Sequence, residues 1–219
     1  NKYYSRPSGP VIYPPIDVPF LKKETQTQDL TQFDLPQDFL LVVSRLVAYK
    51  EIDLAIEACL ATGKNLVVVG QGSELSRLKT LSRNLAQEYH HRPSQIIFLN
   101  HQPQAVVNQL YQQAQALLMP AKEDFGITAL QANYFGTPAI LHQNSGAAEI
   151  IKHQQHGLHL PATTLPNLIE ALKQLDQMEF DSDKLKKLTQ TYTTNQFLYN
   201  LEGVIKNQAQ INQRQHAQQ

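Results

Sequence analysis

The sequence predicts an α/β fold in which helices cover both faces of a parallel sheet. Short, continuous apolar runs such as Phe39–Val43 recur along the chain, as is typical of strands buried on both faces. Segments with helical periodicity alternate with these runs, which indicates βαβ units. Glycine-containing turns such as Gly70-Gln71-Gly72 follow several runs, where a parallel strand would hand over to a helix.

The first half of the regular pattern starts at Phe39–Val43 and continues with an amphipathic helix, Glu51–Thr62, which ends at Gly63. The same criteria predict the next strands at Leu66–Val69 and Ile96–Leu99 and the next helices at Ser73 to about Gln87 and Gln104–Gln113.

The second half repeats the alternation and then becomes wholly helical. Strands are predicted at Ala116–Met119, Ala139–Leu141 and Leu158–Leu160, and helices at Ile127–Tyr134, Ala147–Ile151, Leu165–Met178, Asp181–Tyr192 and Asn195 to about Gln208. Because ligands bind beyond the carboxyl ends of the strands in such open sheets, the loops at those ends are the candidate site.

We expect residues 1–206 to form one domain. Its first part, 1–38, is an N-terminal segment and loop in which Val11–Tyr13 is a candidate short strand, stopped by Pro14-Pro15. The Gln-rich tail 207–219 is expected to be frayed or disordered. The chain begins at Asn1 and not at a methionine, so we expect a fragment of a longer protein.

Composition excludes several function classes. The 219 residues carry 19 basic and 19 acidic side chains, a balance that argues against nucleic-acid binding. A single cysteine, Cys59, excludes an internal disulfide, fits a reducing cytoplasmic location and is expected to be a packed core thiol. No apolar run approaches the ~18 residues that a membrane-spanning helix needs.

The stretch from Pro120 to Pro138 is the strongest candidate for a binding site, because it follows an apolar run, turns through Gly126 and enters a helix. The free N–H groups at a helix N-terminus favour an anion such as phosphate. Glu123 cannot serve a phosphate, so it must face a cation or a neutral, hydroxyl-rich group, and a sugar on a diphosphate fits the second option.

Three further loops are weaker candidates. Arg45 and Lys50 follow the first strand and either clamp a diphosphate or are solvated charges. Gly70 and Gly72 either contact phosphate or only form a tight turn. A small-residue loop before the helix predicted at Ala147 is either a second anion cradle or a simple helix cap; it contains Ser145 and Gly146.

Helix geometry places Gln131 about one and a half turns into the helix that follows Gly126, with its side chain leaning toward the ligand end. The alternative is an exposed helix residue. His90, His91 and His101 lack the spacing of a metal site, so no metal is predicted.

The candidate loops, taken in order, resemble one known family. The segments that carry the resemblance are Val11-Ile12-Tyr13-Pro14-Pro15-Ile16-Asp17, Ser44-Arg45-Leu46-Val47-Ala48-Tyr49-Lys50, Gly70-Gln71-Gly72, Glu123-Asp124-Phe125-Gly126-Ile127 and Gly136-Thr137-Pro138. They resemble the retaining glycosyltransferases of GT-B fold called family 4, or glycosyl transferases group 1. The first two segments are most similar to bacterial mannosyltransferases of polysaccharide biosynthesis.

The resemblance, which runs from about Tyr3 to Phe197, implies the Rossmann-like, donor-binding C-terminal half of a GT-B enzyme. Arg45 and Lys50 would bind the diphosphate of a GDP- or UDP-linked sugar, and Glu123 would bind sugar hydroxyls. The backbone N–H groups of Phe125, Gly126 and Ile127 would contact sugar and phosphate. It also implies a metal-independent reaction without a cofactor. A glycan or lipid-linked acceptor would bind through an N-terminal domain, and the full-length enzyme would associate peripherally with the membrane.

Gln131 departs from the family pattern, because a second acid usually holds the ribose hydroxyls there. An amide loses the charge-assisted hydrogen bond, so the departure points to weaker nucleotide binding or to a different nucleotide. The alternatives to a hexosyltransferase domain, with mannose favoured, are a GT-B nucleotide-sugar 2-epimerase domain and a degenerate, non-catalytic binding domain. We expect this chain alone to bind a donor but to turn over little.

Overall fold

The computed structural model describes residues 10–18, 21 and 29–216, with side chains as far as 210. Its centre is a six-stranded sheet in which every pairing between strands is parallel. In chain order the strands are β1 (Leu40–Val43), β2 (Leu66–Val69), β3 (Ile96–Leu99), β4 (Leu117–Met119), β5 (Ala139–His142) and β6 (Gly157–Leu160).

The strand order is β3-β2-β1-β4-β5-β6. The chain therefore builds outward from β1 to β3 and then returns to place β4 on the other side of β1, where Leu41 pairs with Leu117. This reversal is the topological switch point at which open α/β sheets leave a crevice for a ligand. The loops that follow β1 and β4 lie at its two sides.

Seven α-helices follow one another in the described part of the chain. They are α1 (Ile52–Thr62), α2 (Leu75–Glu88), α3 (Gln104–Gln113), α4 (Ile127–Tyr134), α5 (Leu165–Leu175), α6 (Ser182–Thr189) and α7 (Thr194–His216), with short 3-10 turns at Thr31–Phe33, Ala48–Lys50, Gly146–Glu149 and Gln190–Tyr192.

The helices bury both faces of the sheet. Along β1, Leu41 points into a core closed by α3 and α4, whereas Leu40 and Val42 point into a second core closed by α1, α2 and α5. Alternate residues of a strand face opposite sides, so a strand covered on both faces must be apolar throughout. The predicted fold class, a Rossmann-like parallel sheet with helices on both faces, is confirmed.

The prediction of a strand at Val11–Tyr13 is wrong. These residues form no regular element, and among the described residues 10–18 the one isolated parallel bridge joins Ile16 to Thr193. Pro14 and Pro15 remove two backbone donors in succession, which explains why the segment does not pair over a longer distance.

The other differences concern the helical segments near the C-terminal end. The predicted helix Ala147–Ile151 is the 3-10 turn Gly146–Glu149, Leu165–Met178 ends at Leu175, and Asp181–Tyr192 divides into α6 and a 3-10 turn. The last helix, predicted to end at about Gln208, continues to His216. Glutamine is a good helix former, and neither glycine nor proline follows Gly203.

Among the described residues, no helix is both long enough and apolar enough to cross a bilayer.

Candidate functional site

A cavity of about 260 Å³ opens between the carboxyl ends of β1 and β4, at the switch point of the sheet. The predicted site residues that line it are Arg45, Lys50, Glu123, Gly126 and Ile127. They come from two loops about 80 residues apart in sequence, which the parallel topology brings to the same edge.

An ion pair joins the two loops across the cavity. The Lys50 ammonium donates to Oε1 of Glu123, and the two side chains are only 14% and 18% exposed. The sequence left a cation or a hydroxyl-rich group as the counterpart of Glu123, and the chain itself supplies a cation. An ammonium has three donors, so Lys50 keeps two for a further acceptor.

Tyr49 contacts both predicted cations. Its hydroxyl accepts a hydrogen bond from Nη2 of Arg45 at 2.9 Å, and its ring centroid lies 4.9 Å from Nζ of Lys50. A cation over an aromatic face is attracted by the ring quadrupole. Tyr49 therefore keeps Arg45 and Lys50 on the same side of the β1 loop, a role that the sequence analysis did not assign.

Gly126 shapes the wall of the cavity at the start of α4. Its φ of 82° lies in the left-handed region, and a Cβ atom there would come within 2.9 Å of Cε of Met119 and 3.3 Å of Cβ of Ala147. The first N–H groups of α4, at Ile127 and Thr128, have no acceptor within the helix and lie in the cavity lining. Such a helix N-terminus favours an anion.

Ser145 and Gly146 support the acidic loop from behind. The Ser145 hydroxyl accepts a hydrogen bond from the Glu123 N–H at 3.0 Å, and the Gly146 N–H donates to the Glu123 carbonyl at 3.0 Å. A Cβ on Gly146 would lie 2.0 Å from the Asp124 carbonyl oxygen, so only glycine allows this approach. Neither residue belongs to the cavity lining, and both fix the backbone of Glu123.

Gly70 and Gly72 are packed against the β1 loop. A Cβ on Gly70 would lie 1.9 Å from the Ser44 carbonyl oxygen, and one on Gly72 would lie 2.2 Å from that of Leu46. The Leu46 N–H donates to the Gln71 carbonyl at 2.9 Å. In this structure the two glycines make room for neighbouring backbone, and they lie outside the cavity lining.

Phe125 and Gln131 do not belong to the cavity lining. The Phe125 ring stacks on Tyr13, with centroids 6.0 Å apart. Gln131 is half-buried and lies in the second turn of α4. From the sequence, Tyr13 was named only as part of a motif, and its contact with the site loop was not predicted.

Two other predictions concern chemistry outside the cavity. Cys59 is buried, and burial raises the pKa of its thiol, which agrees with the predicted core thiol and not with a nucleophile. Within the described residues, no three His, Cys, Asp or Glu side chains gather where they could hold a metal ion.

Comparison with known proteins identifies the family. The family model described as glycosyl transferases group 1 matches residues 24–193. The chain belongs to this family. The match includes every predicted site residue, from Arg45 to Gly146.

Two curated relatives illustrate the similarity. An uncharacterized glycosyltransferase, MJ1607, of Methanocaldococcus jannaschii is 30% identical over 127 residues, which are 56% of this chain and 31% of that protein. The alpha-1,3/1,6-mannosyltransferase ALG2 of Rhizomucor pusillus is 29% identical over 188 residues, which are 69% of this chain and 41% of that protein. The chain thus spans less than half the length of either relative.

Solved structures support the fold. Anabaena Alr3699/HepE, in complex with UDP, superposes with a TM-score of 0.73 at 16% identity, over 90% of this chain and 57% of that one. The lipopolysaccharide outer core galactosyltransferase WaaB superposes with a TM-score of 0.71 at 20% identity, over 91% of this chain and 56% of that one. These similarities confirm a Rossmann-like domain of the GT-B type.

Proposed function

We propose that this chain is the donor-binding domain of a glycosyltransferase that moves a hexose, with mannose favoured, from a nucleotide diphosphate sugar with retention of configuration. The observation that carries the proposal is the Lys50–Glu123 ion pair at the switch point, beside Arg45 and the N-terminus of α4. The positive groups suit one part of such a donor, and Glu123 suits another.

The positive groups suit the diphosphate. Arg45 is exposed and offers a fork of donors, Lys50 has two donors left, and α4 adds backbone N–H groups. When the bond to the sugar breaks, negative charge grows on the departing diphosphate. Fixed donors that already point at this charge stabilise the transition state without an assigned metal or cofactor.

Glu123 suits the sugar. Its carboxylate is held by Lys50 at the end of the cavity bounded by Gly126, and it can accept hydrogen bonds from sugar hydroxyls. Because like charges repel, the same carboxylate disfavours an acidic sugar, so a neutral hexose fits best. The mannosyltransferase name of one relative and the UDP bound to one structural neighbour agree with a GDP- or UDP-linked donor.

The remaining parts of the proposal concern the whole enzyme. We propose that a second domain supplies the site for a glycan or lipid-linked acceptor, and that the enzyme works in the cytoplasm, associated peripherally with the membrane. The second domain is supported by the relatives, whose lengths exceed the part matched here more than twofold. Little turnover is expected from this chain alone.

Calorimetric titration of the chain with GDP, UDP and ADP tests donor binding. At least one diphosphate should bind, and Lys50→Ala should weaken it roughly ten- to a hundredfold, because a charge-assisted contact is lost and Glu123 remains unpaired beside the phosphates. Lys173→Ala, an exposed lysine on α5, is the matched control. If no diphosphate binds at millimolar concentration, the proposal is wrong.

A degenerate, non-catalytic binding domain is the second candidate, and Gln131 is the observation that favours it. If the amide is what weakens ribose binding, Gln131→Glu should strengthen diphosphate binding by roughly three- to tenfold, since a charged acceptor replaces a neutral one. A wild-type affinity already in the micromolar range, unchanged by Gln131→Glu, would argue against the degenerate domain.

A further inference from the structure

Tyr13 connects the N-terminal segment to both loops behind the cavity. Its hydroxyl donates a hydrogen bond to Oε2 of Glu149, which ends the 3-10 turn after Ser145. Its ring stacks on Phe125, with a centroid distance of 6.0 Å and an interplanar angle of 28°. One side chain thus contacts two segments that lie 112 and 136 residues away in sequence.

The segment that carries Tyr13 is itself firmly attached. Ile16 is fully buried, and its N–H donates to the Tyr192 carbonyl at 2.8 Å. The Tyr192 ring meets Tyr13 edge-on at 6.0 Å. The position of Tyr13 is therefore fixed by Ile16 and Tyr192 as well as by its contact with Phe125.

Tyr13 is linked to Glu123, whose carboxylate would face the sugar, through the backbone of the residues that it contacts. Phe125 lies two residues after Glu123, and Glu149 lies in the turn whose Ser145 and Gly146 bond the Glu123 N–H and carbonyl. The two loops thus form one unit, which Tyr13 holds at both ends. Donation to the Glu149 carboxylate raises the pKa of the Tyr13 phenol above its ordinary value, which already lies well above neutral pH.

The diphosphate-binding cations lie on the other side of the cavity. Arg45 and Lys50 belong to the β1 loop, which is fixed by Tyr49 and by the Gly70–Gly72 turn. Tyr13 touches none of these groups in the contacts of the described residues. A substitution at Tyr13 should therefore weaken the contacts with the sugar more than the contacts with the diphosphate.

We propose that Tyr13 is a positioning residue for sugar recognition: it holds the Glu123–Gly126 loop so that Glu123 meets the hydroxyls of the donor sugar. This inference rests on the proposed function. It adds a division of labour, in which the β1 loop binds the diphosphate and the N-terminal segment, through Tyr13, sets the fit of the sugar.

Calorimetry with matched ligand pairs, GDP against GDP-mannose and UDP against UDP-glucose, tests the proposal. For the nucleotide that wild type prefers, Tyr13→Leu should weaken binding of the sugar-linked ligand by roughly tenfold, whereas the diphosphate should change by about twofold or less. Tyr13→Phe keeps the stacked ring and loses only the hydrogen bond, so its effect should be roughly threefold.

Glu149→Gln approaches the same hydrogen bond from the acceptor side, and a double variant with Tyr13→Phe should show no additional loss. Tyr199→Phe, at a tyrosine that is 75% exposed on α7, is the control. Equal weakening of both ligands, or no change in either, overturns the positioning role. Failure of wild type to bind any diphosphate would refute the proposed function and this inference with it, so the two failures are distinguishable.

Discussion

Two glycine turns at the same edge of the sheet differ in what they approach. The turn Gly70–Gly72 follows β2 and meets backbone: carbonyl oxygens of Ser44 and Leu46 occupy the space where side chains would be. The turn Glu123–Gly126 follows β4 and borders the cavity, with Gly126 in its wall. In sequence, both are glycines between a buried strand and a helix.

The position of each strand in the sheet explains the difference. The β2 strand lies between β1 and β3, so its turn meets the neighbouring loop of β1. The β4 strand adjoins β1 across the switch point, where the helices that follow the two strands, α1 and α4, lie on opposite faces of the sheet and a crevice stays open. A glycine in a turn therefore indicates that another group comes close to the backbone. The strand order decides whether that group is neighbouring backbone or whether the space stays open for a ligand.

The largest expected effect is a loss of stability when the glycines of the β2 turn, Gly70 and Gly72, are replaced. Gly70→Ala and Gly72→Ala would each force a methyl group into a backbone carbonyl, and we expect the free energy of unfolding to fall by about 2–4 kcal/mol. Urea unfolding measures this loss. Gly203→Ala is the control, because an added Cβ there has no heavy atom within 4 Å, and alanine should leave α7 equally or more stable. A loss below about 1 kcal/mol at Gly70 and Gly72 would contradict the packing role.

The next prediction concerns Gly126, where affinity should fall together with stability. Alanine in the left-handed region costs about 1–2 kcal/mol, and the Cε of Met119 is a flexible end that can move away. The methyl group would also narrow the cavity at the N-terminus of α4. Nucleoside diphosphate binding should weaken by roughly tenfold or more in the folded Gly126→Ala variant. Unchanged binding would show that the ligand does not approach this wall.

The sequence predicted the regular elements well where its signals are local. The helices α3 and α4 start and end at the predicted residues, because each is a periodic segment between an apolar run and a polar turn. The prediction of a strand at Val11–Tyr13 was wrong because a short apolar run is a weak local signal: Val11 is 73% exposed, and Pro14 and Pro15 lack the N–H groups that a longer pairing needs.

The sequence named residues of the cavity but not their contacts. Arg45, Lys50, Glu123, Gly126 and Ile127 line one cavity, whereas the other six predicted site residues lie outside its lining. The direct pairing of Lys50 with Glu123 depends on the strand order, which periodicity cannot supply. The hydrogen bond from Tyr13 to Glu149 depends on the path of the N-terminal segment, which has no periodic signal at all.

A smaller effect is expected at Ser145, which tests the support of the β4 turn. Ser145→Ala would leave the Glu123 N–H without its acceptor at a site where the serine is only 3% exposed. An unsatisfied buried donor costs about 1–2 kcal/mol, so unfolding in urea should show a loss of that size. Ser94→Ala, whose hydroxyl makes only a long 3.5 Å contact with the Arg92 carbonyl, should be nearly neutral. Equal losses at both serines would remove the special role of Ser145.

The smallest expected effect is a loss of stability at acidic pH that involves His156, the residue before β6. Its Nδ1 accepts a hydrogen bond from the Lys152 N–H at 3.1 Å, and burial, followed by the charge of Lys152, lowers its pKa. The unfolded chain then binds the proton more readily than the folded chain, so stability is complete above the ordinary pKa of about 6.5 and falls as the pH drops below it. His156→Gln should flatten this part of the stability curve. Because parallel strands put this loop at the edge opposite both glycine turns, the variant should leave diphosphate affinity at neutral pH unchanged. A selective loss of affinity in His156→Gln would show that the two ends of the parallel strands are coupled. Stability and binding could then not be assigned to separate turns.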